Sequence, residues 1–241
     1  MTLLDTAAEL QLRLDAASEA DAGDELLARC RTVRDELLAI AEHLEQVQAY
    51  RDEIGHESAV LDGKDIRQAV GRFKGALGKS GPRACQQQTA ATLLEVGEKQ
   101  RTRADRWAKS NWKEHFEPAK TLLERVESGD LRGSTATTAR ARASQIKTVS
   151  GLNPVTDQAD LESRLKVTGP LACIERVKSM IGELRAAIEM ADTEHAALTP
   201  EVRDVLRRAA EARLPLAEIT PELLSALRSA GVIEDLVVRR D

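Results

Sequence analysis

A long run of regularly spaced apolar residues constrains the fold of this chain more than any other feature. From position 26 to position 54 the spacing alternates strictly between four and three residues. The positions are Leu26, Cys30, Val33, Leu37, Ile40, Leu44, Val47, Arg51 and Ile54, of which Arg51 is the one charged member. This heptad pattern predicts a helix of about four repeats whose seam must pack against another helix.

A second heptad pattern follows Pro170. It runs through Ile174, Val177, Ile181, Leu184, Ile188, Ala191, His195 and Leu198. The two patterns match in length and kind, so they predict an antiparallel coiled-coil pair. Pairing within the chain and pairing between chains both satisfy the pattern, and the second would make the seams a docking surface. The candidate interface residues on these seams are Leu37, Ile40, Leu44, Ile181, Leu184 and Ile188.

The composition favours an all-α fold. Aromatic residues make up 2% of the chain and charged residues 31%. A β-sandwich or barrel needs more aromatic and β-branched residues to fill its packed faces. We therefore expect an elongated helical bundle. Besides the heptad helices, the sequence predicts helices over 2–20, 65–77, 84–126 (broken near Pro118), 141–149 and 160–167, and loops over 129–139 and 151–157.

Two similar segments, Thr199-Pro200-Glu201 and Thr220-Pro221-Glu222, mark helix starts near the end of the chain. Threonine at the N-cap with proline at the first helical position favours a helix start. The sequence predicts a small helix-turn-helix-like module, followed by a β-like run over 232–239 that would form one terminal strand. The apolar face of its second helix favours protein docking over DNA reading. That face consists of Leu223, Leu224 and Leu227.

These patterns divide the chain into four segments. The predicted segments are an N-terminal helical hairpin or coiled coil (1–54), a basic helical middle (55–168), a second heptad helix that pairs with 24–54 (169–198) and a C-terminal docking module (199–241).

Charge is distributed unevenly along the chain. Residues 1–63 carry five basic and fifteen acidic residues, whereas residues 64–113 carry twelve basic and four acidic residues. Such a basic segment can bind phosphate, and an exposed indole can stack on a base. The alternative is that the basic face meets the chain's own acidic helix over 24–54. The candidate nucleic-acid or anion-binding residues are Lys99, Arg103, Arg106, Lys109, Trp112 and Lys113.

The sequence patterns typical of enzymes do not occur. The four histidines do not form a metal-ligand or catalytic spacing, and no serine lies in a Gly-x-Ser-x-Gly turn. Three widely spaced cysteines favour reduced thiols over a disulfide framework or a zinc site. We therefore predict no catalytic residues, no cofactor and no metal.

The same features predict a location and a class of function. The sequence contains neither a signal-peptide pattern nor an apolar run long enough to span a membrane, which favours the cytoplasm. The abundance of Ala, Arg, Leu and Asp predicts a bacterial source with a GC-rich genome. The first hypothesis is a non-catalytic adaptor or structural subunit that binds protein partners, or itself, through the heptad helices and the C-terminal module. The alternative is a nucleic-acid-associated accessory factor that binds the phosphate backbone through residues 64–113.

Overall fold

A computed structural model describes residues 3–19, 24–56, 63–128, 131, 134–211 and 220–229. Within these residues all regular structure is helical, which confirms the predicted all-α fold. The α-helices are α1 Leu3–Glu19, α2 Asp24–Glu53, α3 Lys64–Ser80, α4 Gln88–Glu114, α5 Lys120–Glu127, α6 Ser134–Ser150, α7 Gln158–Leu165, α8 Pro170–Ala197, α9 Pro200–Glu211 and α10 Pro221–Ser229. Two short 3-10 segments, Gly81–Gln86 and Glu117–Ala119, lie on either side of α4.

The chain divides into two compact units. Unit 1 consists of Met1–Asn111 and Asn153–Ala159, and unit 2 consists of Trp112–Leu152 and Asp160–Asp241. The two heptad helices α2 and α8 belong to different units, and their predicted pairing stays a prediction. Among the described helices, none combines the length and the apolarity that crossing a bilayer requires.

Unit 1 is built around α2. The helices α1 and α2 pack on each other, and the 3-10 segment Gly81–Gln86 packs on α1, α2 and α3. Gly81 has a φ of 54°, a left-handed conformation that glycine adopts at low cost where α3 ends. The Arg13 guanidinium donates a hydrogen bond to the Leu77 carbonyl at 3.0 Å. Lys74 pairs with Glu9 at 3.0 Å, so polar contacts as well as the core connect α1 to α3.

A short loop of unit 1 packs against the far end of α2. The Asn153 side chain accepts hydrogen bonds from the backbone N–H groups of Val155 and Thr156 and donates one to Asp105 at 3.2 Å. Val155 is buried in a cluster that contains Val47 of α2. The predicted loop over 151–157 is thereby confirmed.

Unit 2 contains α8, which packs along α6 and α5. The α9 and α10 helices form a separate small apolar cluster. Thr199 and Thr220 accept hydrogen bonds from Val202 N–H and Leu223 N–H, which confirms the two predicted helix starts.

One local prediction differs from the structure, and another lies outside the described residues. The predicted loop over 129–139 is wrong from residue 134 onward, because α6 begins at Ser134. The buried residues of α6 recur every three or four positions. The first of them are alanines, whose small side chains do not by themselves indicate a buried helix face. That face consists of Ala136, Ala139, Ala143, Ile146 and Val149. The predicted terminal strand over 232–239 lies outside the described residues.

Candidate functional site

The helix α4 has an apolar face that packs against α2 within unit 1. Ala104 and Ala108 are fully buried in the same cluster as Val47. At Gly97 the helices approach so closely that an added Cβ would lie 3.0 Å from Ile40 Cδ1. This close packing fixes which side of α4 faces outward.

The opposite side of α4 is basic. Successive residues in an α-helix are rotated by about 100°, so positions 99, 103, 106 and 109 fall within one arc, on the side away from Ala104 and Ala108. All four predicted residues on this side are exposed. We call Lys99, Arg103, Arg106 and Lys109 the α4 basic face.

Most of this face carries charge that no neighbouring acid neutralises. Lys99 pairs with Glu95 one turn earlier at 2.5 Å, and both side chains are largely exposed. In the described residues, Arg103, Arg106 and Lys109 have no carboxylate oxygen within 4.0 Å. Within the described residues of unit 1, no ion pair joins this face to the acidic helix α2.

The polar contacts between α2 and α4 involve other residues. His43 Nε2 lies 3.1 Å from the Asp105 carboxylate, and the Tyr50 hydroxyl donates a hydrogen bond to Asn111 Oδ1 at 3.2 Å. Neither contact includes a member of the α4 basic face.

One end of the α4 basic face borders a groove between α3 and α4. The groove encloses about 280 Å³ and is lined by Arg72 as well as Lys99 and Arg103. Asp65 is its single acidic lining residue, and Gln68, Thr92 and Gln100 add amide and hydroxyl groups. Arg72 was not among the predicted site residues. Its place on the groove could have been predicted from the polar residues at positions 65, 68 and 72, which recur at three- and four-residue spacing on the outer side of α3.

The structure corrects the role of Trp112. Its side chain is fully buried, and its indole N–H donates a hydrogen bond to the Val149 carbonyl at 3.0 Å. Phe116 packs edge-on against it, with 5.2 Å between ring centroids. Trp112 is therefore a core residue of unit 2 and presents no face on which a base could stack. Lys113 is exposed and also belongs to unit 2.

The half-buried tryptophan of α4 is Trp107 instead. Tyr50 and His56 pack edge-on against it, with ring centroids at 6.0 Å and 5.4 Å. The sequence prediction selected Trp112, whereas the structure buries Trp112 fully and Trp107 only in part.

Most predicted protein-interface residues are already buried. Leu37 and Ile40 are fully buried in the core of unit 1, and Leu44 is partly buried against it. In unit 2, Ile181, Leu184, Ile188 and Leu227 are buried and Leu223 is partly buried. Leu224, at 40% exposure, remains as an exposed apolar side chain. Side chains of this chain cover these seam positions, and binding of a partner or a second copy through the heptad helices stays a prediction.

The three cysteines are buried, and His115 is half-buried. Cys30 donates a hydrogen bond to the Pro82 carbonyl at 3.2 Å, and burial is the main cause that raises the pKa of the neighbouring Cys85 thiol. Burial, and then the charge of Lys178, lowers the pKa of His115. In the part of the chain that the structure describes, no three His, Cys, Asp or Glu side chains are grouped closely enough to hold a metal ion.

Comparisons with known proteins add no functional information. Neither a protein family, nor a characterised protein, nor a solved structure matches this chain.

Proposed function

We propose that this protein is a non-catalytic, nucleic-acid-associated accessory factor that binds the phosphate backbone through the α4 basic face. The observation that carries the proposal is that Arg103, Arg106 and Lys109 are exposed on one side of a packed helix without a carboxylate partner among the described residues. Cations held in this way attract a polyanion and release its counterions on binding.

The shape of the charged surface supports a linear polyanion as the ligand. From Lys99 to Lys109 the helix rises about 15 Å, at about 1.5 Å per residue. Over the same distance each strand of a duplex advances by about four phosphates. Contacts of Arg and Lys with phosphate carry no sequence information directly, so the proposed backbone binding is independent of sequence.

A charge-reversal series tests the proposal. The test variant is R103E/R106E/K109E, and the matched control R31E/K120E/R185E reverses three exposed basic residues outside this face. Binding of a fluorescent 20-base-pair duplex is followed by anisotropy at about 0.1 M salt. At this ionic strength, charges more than about 10 Å apart are largely screened from each other. We expect the test variant to lose about 100-fold in affinity or more, since each charged contact contributes about 1.5 kcal/mol or more.

The control variant should bind within about threefold of the wild type. Equal losses in both variants would mean that total charge, and not the α4 basic face, determines binding. Unchanged binding by the test variant would refute the proposal.

A second proposed role is docking of a protein partner by α10. The specific observation is the exposed Leu224 beside the buried Leu227. Capture of partners from a nuclease-treated extract, with wild type and L224D in parallel, tests this role. A stoichiometric partner that survives nuclease and is lost with L224D would support an adaptor. A partner that both proteins retain would exclude α10 as its docking site.

The proposal includes a cytoplasmic location. The support is that all three cysteines are free thiols and buried, as expected in a reducing compartment.

A further inference from the structure

Unit 2 contains a cavity whose polar lining is strongly basic. It encloses about 350 Å³ between α6, the end of α7 and α8. Four cationic side chains line it, namely Arg142, Arg164, Lys166 and Arg176. No Asp or Glu lines this cavity among the described residues. None of these four residues belongs to the basic segment over 64–113, and they come from three separate helical regions.

Carboxylates beside the cavity hold the arginines in place. Glu183 accepts a hydrogen bond from Arg176 at 2.6 Å, and its other oxygen lies 3.0 Å from Arg142. The hydrogen bond from Arg176 is the largest cause that lowers the pKa of Glu183, so this carboxylate is charged at neutral pH. Asp160 holds Arg164 at 2.9 Å in the same way.

These pairs leave the cavity with excess positive charge. Two carboxylates face four cations, and Lys166 has no carboxylate within 4.0 Å in the described residues. The surplus of about two charges matches a phosphate monoester, which carries about −1.5 to −2 at pH 7.

Lys166 also occupies an unfavourable backbone conformation. Its φ is 56°, and no other described residue apart from glycines has a positive φ. The Val167 N–H bonds to the Glu162 carbonyl at 3.3 Å, the hydrogen bond of a Schellman motif in which Lys166 occupies the position that glycine usually fills. A lysine at this position costs stability, and such a cost frequently accompanies a functional side chain.

The remaining lining residues suit an organic ligand. Thr148 and Gln145 supply hydroxyl and amide groups, whereas Val149, Leu165 and Met180 supply apolar surface. The volume falls in the range of about 300–1,000 Å³ that small-molecule pockets occupy.

We propose that this cavity binds the phosphate monoester of a small organic molecule. Arg142, Arg176 and Lys166 surround the phosphate, and the cavity wall at Met180 contacts the organic part of the ligand. The guanidinium groups can each donate two parallel hydrogen bonds to phosphate oxygens, and Lys166 supplies the charge that no carboxylate balances. This site is independent of the proposed nucleic-acid role, since it lies in unit 2 and shares no residue with the α4 basic face.

The decisive variant is K166G. Glycine relieves the unfavourable φ, so we expect the melting temperature without ligand to rise by about 2–4 °C. The same change should lower affinity for phenyl phosphate about tenfold in isothermal titration at constant ionic strength, because one charge-assisted contact is lost. Loss of binding in a more stable protein cannot be attributed to unfolding.

Two comparisons complete the experiment. The control K178Q, at an exposed lysine of α8 outside the cavity lining, should bind phenyl phosphate like the wild type, and so should R103E/R106E/K109E. Phenyl phosphate should bind more tightly than inorganic phosphate, since its ring covers apolar surface. Equal affinity of K166G and wild type, or no advantage of phenyl phosphate over inorganic phosphate, would overturn the proposal.

Discussion

Gly97 shows how a single residue determines the packing of α4. An alanine is favoured over glycine by about 1 kcal/mol in a helix interior. Here the added Cβ would lie 3.0 Å from Ile40 Cδ1 and 3.3 Å from Ile40 Cγ2, and Ile40 is fully buried. Overpacking costs about 1–3 kcal/mol, so we expect Gly97→Ala to lower the free energy of unfolding by about 1 kcal/mol in urea titrations.

The matched control is Gly182→Ala in α8, where an added Cβ meets nothing within 4 Å. This change should stabilise the protein by about 0.5–1 kcal/mol. A stabilising Gly97→Ala would show that α2 and α4 are not in close contact at this point.

Glu183 makes stability depend on pH. Its pKa in the folded protein lies below the ordinary value of 4.5, first because of the hydrogen bond from Arg176. A carboxylate whose pKa is lower in the folded than in the unfolded protein stabilises the fold when the pH lies above its pKa in the unfolded chain. This contribution is lost as the pH falls through its pKa in the folded protein. The pair is partly exposed, so we expect Glu183→Gln to cost about 0.5–1 kcal/mol at pH 7.

Denaturant titrations from pH 7 down to below 4.5 check this prediction. The difference between the wild type and Glu183→Gln should shrink as the pH falls below 4.5. A difference that stays constant over this range would mean that Glu183 acts through packing and not through its charge.

At the scale of elements, α6 shows what sequence patterns leave out. The sequence predicted α2 and α8 because large aliphatic residues repeat at heptad spacing. The first half of α6 has alanines at its buried positions, and the surrounding Gly, Ser and Thr residues favoured a loop. Alanine has high helix propensity but little apolar area, so the neighbouring helix had to be known before this face could be identified.

A substitution pair tests the α6–α8 packing. Ala139 is fully buried, whereas Ala141 on the same helix is exposed. Ala139→Met should destabilise the protein by about 1–3 kcal/mol, because the added atoms have no space. Ala141→Met should change stability by less than about 0.5 kcal/mol, since surface substitutions seldom do more. Thermal or urea unfolding of the two variants measures the difference, and equal effects would contradict the packing of α6.

The helix α3 shows the opposite case. The sequence predicted a helix over 65–77, yet α3 extends from Lys64 to Ser80 despite its glycines. Val70, Phe73 and Leu77 are buried at three- and four-residue spacing. Tertiary packing of this face outweighs the low helix propensity of glycine.

At the scale of the whole molecule, the heptad patterns established that partner helices were needed but not which ones. The seam of α2 is buried against elements of unit 1, and α8 packs along α6 and α5 in unit 2. A seam specifies an apolar stripe, and any helix with a complementary stripe can cover it. The sequence predicted basic residues of α4 as candidate anion-binding residues and the structure shows them exposed, whereas Arg72 and the cavity of unit 2 required the three-dimensional structure.

The charge distribution of the molecule also follows from this packing. Because the apolar face of α4 meets α2, the basic residues of α4 lie on its outer side. The acidic segment over 1–63 does not supply ion-pair partners to the α4 basic face within the described residues. A polyanion that binds to this unneutralised charge should show a strong dependence of affinity on salt.

The test is the salt dependence of duplex binding, measured for the wild type and R103E/R106E/K109E from about 50 to 200 mM salt. With four phosphate contacts, the logarithm of the association constant should fall against the logarithm of salt with a slope of about −3.6. The variant keeps only Lys99, so its slope should flatten to about −0.9. Equal slopes for the two proteins would contradict the claim that the α4 basic face binds the phosphate backbone.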